Sequence, residues 1–280
     1  MKLSERNIEI FVPNPTDRAT ALARTTDLCI AAHQDDIETM AFGPIAACYG
    51  SAVRHFTGVV VTDGGGSPRS GVYADYSDED MKVIRIEEQK NAARIGRYSA
   101  QIFLAHSSKD VKQPVNRPLV DELKNIITAC TPDVLYTHNL ADKHDTHVAL
   151  ALQVIRALRE LPAQLRPKKT VAMEVWRGLD WLNDEDKEIF DTSAYPNIAA
   201  ALIGLFDSQV SGGKRYDLAA QGRWLANATF FASHAVDAFK SASFGLDMTD
   251  LVNSTADPAE FIGGHIDKFK QDVLKRIAKF

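Results

Sequence analysis

Cysteine is scarce. Only Cys29, Cys48 and Cys130 occur in 280 residues, too few for a disulfide framework or a four-thiolate zinc cage. Each lies in an apolar stretch and reads as a small buried residue of a reducing compartment. Basic residues are not in excess. The chain has 32 Lys+Arg against 37 Asp+Glu, a formal net charge of −5, which does not suit a phosphate backbone as partner. No apolar run approaches the roughly 18 residues of a membrane helix. The first twenty residues lack the apolar core of an export signal. No internal repeat, low-complexity tract or Pro/Gly/Ser-rich linker divides the chain. These absences predict a cytoplasmic protein of one domain, 1–280, with neither nucleic acid nor membrane as partner. Nothing in them speaks for or against a homo-oligomer.

What is present begins as an alternation. Short apolar runs at Leu28–Ala32, Phe56–Val61, Gln101–Ala105 and Val134–Thr137 are separated by amphipathic stretches. Helices are expected over Glu38–Cys48, Asp78–Ile95, Val115–Cys130 and from near His144 to Glu160. In the third, Leu119, Leu123, Ile126, Ile127 and Cys130 recur at spacings of three and four, one helical face. Strand–helix alternation predicts an α/β fold, a mostly parallel, doubly wound sheet with helices on both faces in the Rossmann manner. Beyond residue 161 the C-terminal part reads as mixed. A strand is expected over Thr170–Trp176 and helices over Ile198–Phe206, 214–240 and Asp257–Lys279, the last with Phe261, Ile266, Phe269, Val273 and Ile277 inward.

Chemistry collects in two stretches. In the first, an apolar strand ends in Ala32-His33-Gln34-Asp35-Asp36-Ile37-Glu38. Acids at a strand-to-helix turn could simply cap the helix and meet its positive end, and for Glu38 that reading is as good as a functional one. It does not account for an imidazole beside two carboxylates at a strand's carboxyl end, where open α/β sheets bind ligands. In the second, the run Asp133–Thr137 ends and His138, Asp142, His144, Asp145 and His147 follow before a helix. In the strand order 3-2-1-4 the first and fourth strands are neighbours, so the two loops should meet at one crevice. A mixed set of His and Asp with one position open suits catalytic zinc, which takes three protein ligands and a water. A further carboxylate could take the water's proton.

These two motifs, in their strand contexts, resemble the PIG-L/LmbE-like zinc-dependent N-deacetylases, whose signatures are A-H-P-D-D-E and H-P-D-H. The resemblance spans roughly residues 27–160 and implies an LmbE-like fold. It implies a bound Zn2+ held by His33, Asp36 and His147, with Asp35 as general base and His144 assisting the tetrahedral intermediate. It also implies an N-acetylated amino sugar or its conjugate as substrate and acetate as product. The chain departs from the pattern at Gln34, where the family has Pro, and at His144-Asp145-Thr146-His147. The family's outer-shell Asp is Thr146 here, and Asp145, one position early, is the candidate replacement.

The resemblance also implies three further candidates for substrate contact: Gly65 in the loop Asp63–Ser67, Arg85 in an Arg-x-x-Glu pair with Glu88, and His234 in the aromatic segment near Phe230. Each has a plainer reading, respectively a flexible loop, a surface i,i+3 pair and a packed histidine. His55, His106, His138 and His265 are expected to be structural. Two other functions fit the same residues. One is a zinc amidohydrolase or esterase with a non-sugar substrate. The other is a Rossmann-like binding module without metal.

Overall fold

The computed structural model describes residues 8–232 and 234–280. Its strands are β1 (Glu9–Phe11), β2 (Asp27–Ala31), β3 (Phe56–Thr62), β4 (Ala100–His106), β5 (Val134–His138), β6 (Lys169–Met173), β7 (Lys187–Asp191) and β8 (Ala242–Asp247). They form one sheet in the order β1-β4-β3-β2-β5-β6-β8-β7. β2 to β6 are parallel. β1 joins β4 antiparallel, and β8 and β7 extend the other edge antiparallel. The expected α/β architecture, a mostly parallel sheet with helices, is therefore present, and the parallel strands keep the 3-2-1-4 order. β1, β7 and β8 were not expected from the sequence.

The sheet's burial explains its sequence. Every residue of β2 and β3 is buried, because parallel strands are covered on both faces. Successive side chains alternate between two cores. Leu28 and Ile30 join Val59, Ile102, Leu123, Ile126 and Val154 on one face. Cys29 and Ala31 join Ile37, Phe42, Val60, Tyr98 and Tyr136 on the other. Each fully buried Leu or Ile contributes roughly 1.5–3 kcal/mol of transfer free energy. All three cysteines are free and buried.

Helices Asp78–Ile95, Arg117–Cys130 and Asp145–Glu160 fall close to their expected places. Ser77 and Asp80 start the first with a reciprocal capping box. The expected helix over Glu38–Cys48 is instead two, Asp36–Met40 and Phe42–Cys48. Pro44 has no N–H to bond the carbonyl four residues back, so the ladder breaks at Ala41. The stretch 214–240 is helical only over Tyr216–Ala226, with a 3-10 turn at Asn227–Thr229. The Asp237 carboxylate accepts the backbone N–H groups of Phe230, Phe231 and Ala232 at 2.7, 3.0 and 2.8 Å, which holds that segment out of a helix. The closing helix, Pro258–Ile277, buries none of its residues. Phe261 packs against the core, but Ile266, Val273 and Ile277 are exposed, contrary to the inward stripe expected. Among the described residues no helix is long and apolar enough to cross a membrane.

Candidate active site

The crevice lies where β2 and β5 end side by side. β2 delivers His33, Asp35 and Asp36, and β5 leads through 139–144 into the helix that carries His147 at its first turn. A cleft of about 320 Å³ opens there, lined among others by His33, Asp35, Asp36, Arg85, His144, His147, Trp176, Lys214 and Tyr216.

Three donor atoms converge. His33 Nδ1 lies 3.1 Å from Asp36 Oδ2 and 3.2 Å from His147 Nε2. His147 Nε2 lies 3.3 Å from the same Asp36 oxygen. Two more imidazoles stand close, since the ligand atoms of His33, His144 and His147, and those of Asp36, His138 and His147, lie within 4.8 Å of one another. Hydrogen bonding separates the two sets. His138 Nε2 accepts the Ala32 N–H at 2.8 Å, and His144 Nδ1 accepts the Thr146 N–H at 3.3 Å. His147 donates from Nδ1 to Asp142 Oδ2 at 3.0 Å, which points its Nε2 toward Asp36 and His33. Burial opposes the imidazolium form of His147, but Asp36 and Asp142 outweigh it and push its pKa up to about 10.

The carboxylate behind His147 is thus Asp142, not Asp145. Asp145 is exposed in the helix's first turn, whereas the Asp142 side chain is almost wholly buried. His138 was expected to be structural, yet its ring stacks on His147 with centroids 3.9 Å apart, and its Nε2 is 3.5 Å from Asp36. Neither residue belongs to the two short signatures, and the only signal for them is their place in a polar strand-end loop.

Asp35 sits in the left-handed region at φ 89°, a conformation disfavoured for a side-chain-bearing residue and common at functional sites. Burial raises its carboxyl pKa, the nearby Arg85 guanidinium opposes, and the outcome is about 7. His144 is driven the other way. Burial, with the charge of His147, lowers it to about 4, so it is a neutral imidazole at pH 7. With Nδ1 accepting from Thr146, its proton sits on Nε2, a free donor.

Arg85 is buried, not a surface partner of Glu88. It donates from Nε to Gln34 Oε1 at 3.2 Å, from Nη1 to Ser67 Oγ at 2.8 Å and from Nη2 to the Gln34 carbonyl. It also stands 3.6 Å from Asp35. Gln34, in the place of the family's Pro, is the residue that ties Arg85 to the β2 turn. Glu88 accepts from the backbone N–H and hydroxyl of Ser208, both at 2.7 Å. Glu38 does not line the cleft, and it sits in the first turn of the Asp36–Met40 helix, as its plainer reading expected. It is buried and accepts from Gln89 and Tyr98, each at 2.7 Å.

Two sequence candidates are placed differently from expectation. Gly65 donates its N–H to Asp63 at 3.2 Å and abuts Lys82, while its neighbours Gly64 and Gly66 line the cleft. Gly64 has φ +78°, and a Cβ there would meet Gln34 Oε1 at 2.8 Å, so the loop's close approach depends on it. His234 is exposed in an irregular segment and is not among the residues lining the cleft.

The model of the PIG-L family, described as GlcNAc-PI de-N-acetylase, matches residues 28–158. No curated protein sequence matches the chain. Among solved structures the chain is similar to N,N'-diacetylchitobiose deacetylase from Pyrococcus horikoshii, with 17% identity and TM-score 0.64 over 83% of this chain and 86% of that one. It is also similar to GalB, the 4-carboxy-2-hydroxymuconate hydratase of Pseudomonas putida, with 18% identity, TM-score 0.59 and coverage of 80% and 95%. The A40926 pseudoaglycone deacetylase Dbv21 is a third, with 16% identity, TM-score 0.56 and coverage of 80% and 96%. At these identities the likeness is one of fold.

Proposed function

Residues 28–158 belong to the PIG-L family, and from that premise we propose that the protein is a zinc-dependent hydrolase removing acetyl from an N-acetylated amino sugar or its conjugate. A deacetylase and a hydratase share this fold, so the side chains have to carry the assignment. The observation that carries it is the convergence of His33 Nδ1, Asp36 Oδ2 and His147 Nε2 on one point of the cleft, beside a second carboxylate, Asp35, held in a different environment.

That donor set fits zinc. Separations of 3.1–3.3 Å are close to the edges of a tetrahedron with bonds of about 2.0–2.1 Å, and two imidazoles with one carboxylate are catalytic zinc chemistry. His33, Asp36 and His147 would hold the ion, which when bound supplies Lewis-acid polarisation of the amide carbonyl and a more acidic water. Asp35 takes the proton from the attacking water and returns it to the leaving amine. A carboxyl balanced near neutrality does both. His144 donates from Nε2 to the oxyanion that forms on the acetamide, an interaction absent in the ground state. Arg85, with most of its donors engaged by Gln34 and Ser67, positions Asp35 rather than touching substrate.

The test is acetate release from N-acetylglucosamine and its conjugates, with chelator and after zinc is restored, alongside metal analysis. About one zinc per chain is expected in the wild type, little in His33→Ala or His147→Ala, and wild-type content in His55→Ala. Metal without acetate release from any sugar would turn the reading to another amide or ester. Absence of metal after zinc loading would leave a binding module.

A further inference from the structure

The cleft has a second wall, in which Trp176, Lys214 and Tyr216 come from outside the 28–158 match and Lys112 and Lys143 from within it. Trp176 and Tyr216 meet edge to face, 5.2 Å between centroids. An ammonium group borders each: Lys143 Nζ is 4.7 Å from the Trp176 ring and Lys214 Nζ is 5.1 Å from the Tyr216 ring. Lys214 and Lys112 both line the cleft, and among the described residues no ion pair or hydrogen bond engages either side chain. The other lining charges are accounted for. Arg85 stands beside Asp35, and Asp36 faces the histidines.

Lys214 is held there by construction. It ends a turn, Val210–Lys214, in which Gly213 has φ +101°. A Cβ at Gly213 would meet Ser70 Oγ at 2.9 Å, so the turn closes onto the glycine-rich loop after β3. Below it, Ser208 is tied to buried Glu88. Asp207 accepts from Tyr73 and Ser211 at 2.6 and 2.5 Å. Lys214 is exposed, but the turn sets its backbone at the rim of the cleft, where its ammonium group is within reach of an anion bound beside Tyr216.

We infer that the substrate carries an anionic substituent, a phosphate or a carboxylate, recognised by Lys214 with Lys112 while the sugar ring lies against Trp176 and Tyr216. This rests on the deacetylase reading and specifies its substrate class. A competing role for Lys214 is to hold the Asp35 carboxylate by charge alone. That would affect every substrate equally, whereas anion recognition discriminates.

The experiment compares kcat/KM for N-acetylglucosamine, its 1-phosphate and 6-phosphate, and N-acetylmuramic acid, in the wild type, Lys214→Met and Lys214→Arg. At least one anionic congener should exceed the neutral sugar by tenfold or more. Lys214→Met should reduce that ratio by tenfold or more, chiefly through KM, and Lys214→Arg should restore most of it. The best congener tells phosphate from carboxylate. Equal kcat/KM for neutral and anionic sugars, or an equal loss on both in Lys214→Met, would overturn the inference and leave the deacetylase reading intact. Calorimetric binding of glucosamine 6-phosphate, glucosamine 1-phosphate, muramic acid and glucosamine supplies a readout that needs no turnover. If no sugar is deacetylated, a charged amine that binds more tightly than glucosamine and loses that margin in Lys214→Met still supports the anion site. Equal binding overturns it.

Discussion

The floor and the second wall of the cleft are built on different terms. The floor consists of strand ends and helix starts of a sheet buried on both faces, and its polar groups are fixed by hydrogen bonds in pairs: His147 to Asp142, Arg85 to Gln34, His138 to the Ala32 N–H. The wall consists of turns and a short helix, and its cations, Lys143 and Lys214, stand 4.7 and 5.1 Å from aromatic rings, with no carboxylate among the described residues within ion-pair distance. Fixed pairs suit chemistry that needs one geometry. Unpaired charges suit a ligand that brings its own counter-charge. The floor should therefore govern kcat and metal, and the wall should govern KM and substrate choice.

The largest effect expected on the floor is at Asp35. Asp35→Asn should keep near-normal zinc and lose about 10²-fold or more in kcat, as general-base removal does, with KM little changed. Loss of zinc in that variant would make Asp35 a ligand and blur its separation from Asp36. A smaller effect is expected behind the ligands. Asp142→Asn should weaken zinc binding or activity by about 10–100-fold, measured by competition with a chromogenic chelator, while Asp145→Asn should match the wild type. The reverse result would restore the carboxylate that sequence spacing favours. The smallest tests the joint between the two regions. Glu88→Ala removes the acceptor of the buried Ser208 N–H and of its hydroxyl proton, which costs about 1–3 kcal/mol, read as a shift of the denaturant midpoint. Because Ser208 leads into the Lys214 turn, KM should rise by a few-fold while kcat holds. An equal fall of kcat would mean the two regions are not separable.

Much of the floor is legible in the chain's own patterning, because its signals are local. Apolar runs with both faces hydrophobic mark parallel strands, spacings of three and four mark the Arg117–Cys130 helix, and His33-x-Asp35-Asp36 and His144-x-x-His147 each fall within a single strand–helix turn. Pro44 divides a helix inside an apolar stretch without changing its overall hydrophobicity, so the hydropathy pattern runs on through the break. The closing helix departs from expectation in the opposite way: a regular apolar stripe says which residues share a face but not whether anything covers it. Gly65 and His234 stand out only by their place in a loop and an aromatic segment, where neighbouring positions differ in direction without any periodicity to say how.

Residues a few positions apart suffice for the strand–helix alternation, the ligand types and the two turns that carry them. Contacts over long separations are of another kind. His33 and His147, 114 positions apart, bring donors within 3.2 Å of each other, Asp142 rather than Asp145 reaches the imidazole, and Lys214 faces the same cleft. These outcomes arise in the folded chain, from which strands lie side by side and from the path of each connecting loop. Backbone geometry summed over many residues sets both, and no short spacing in the chain encodes it.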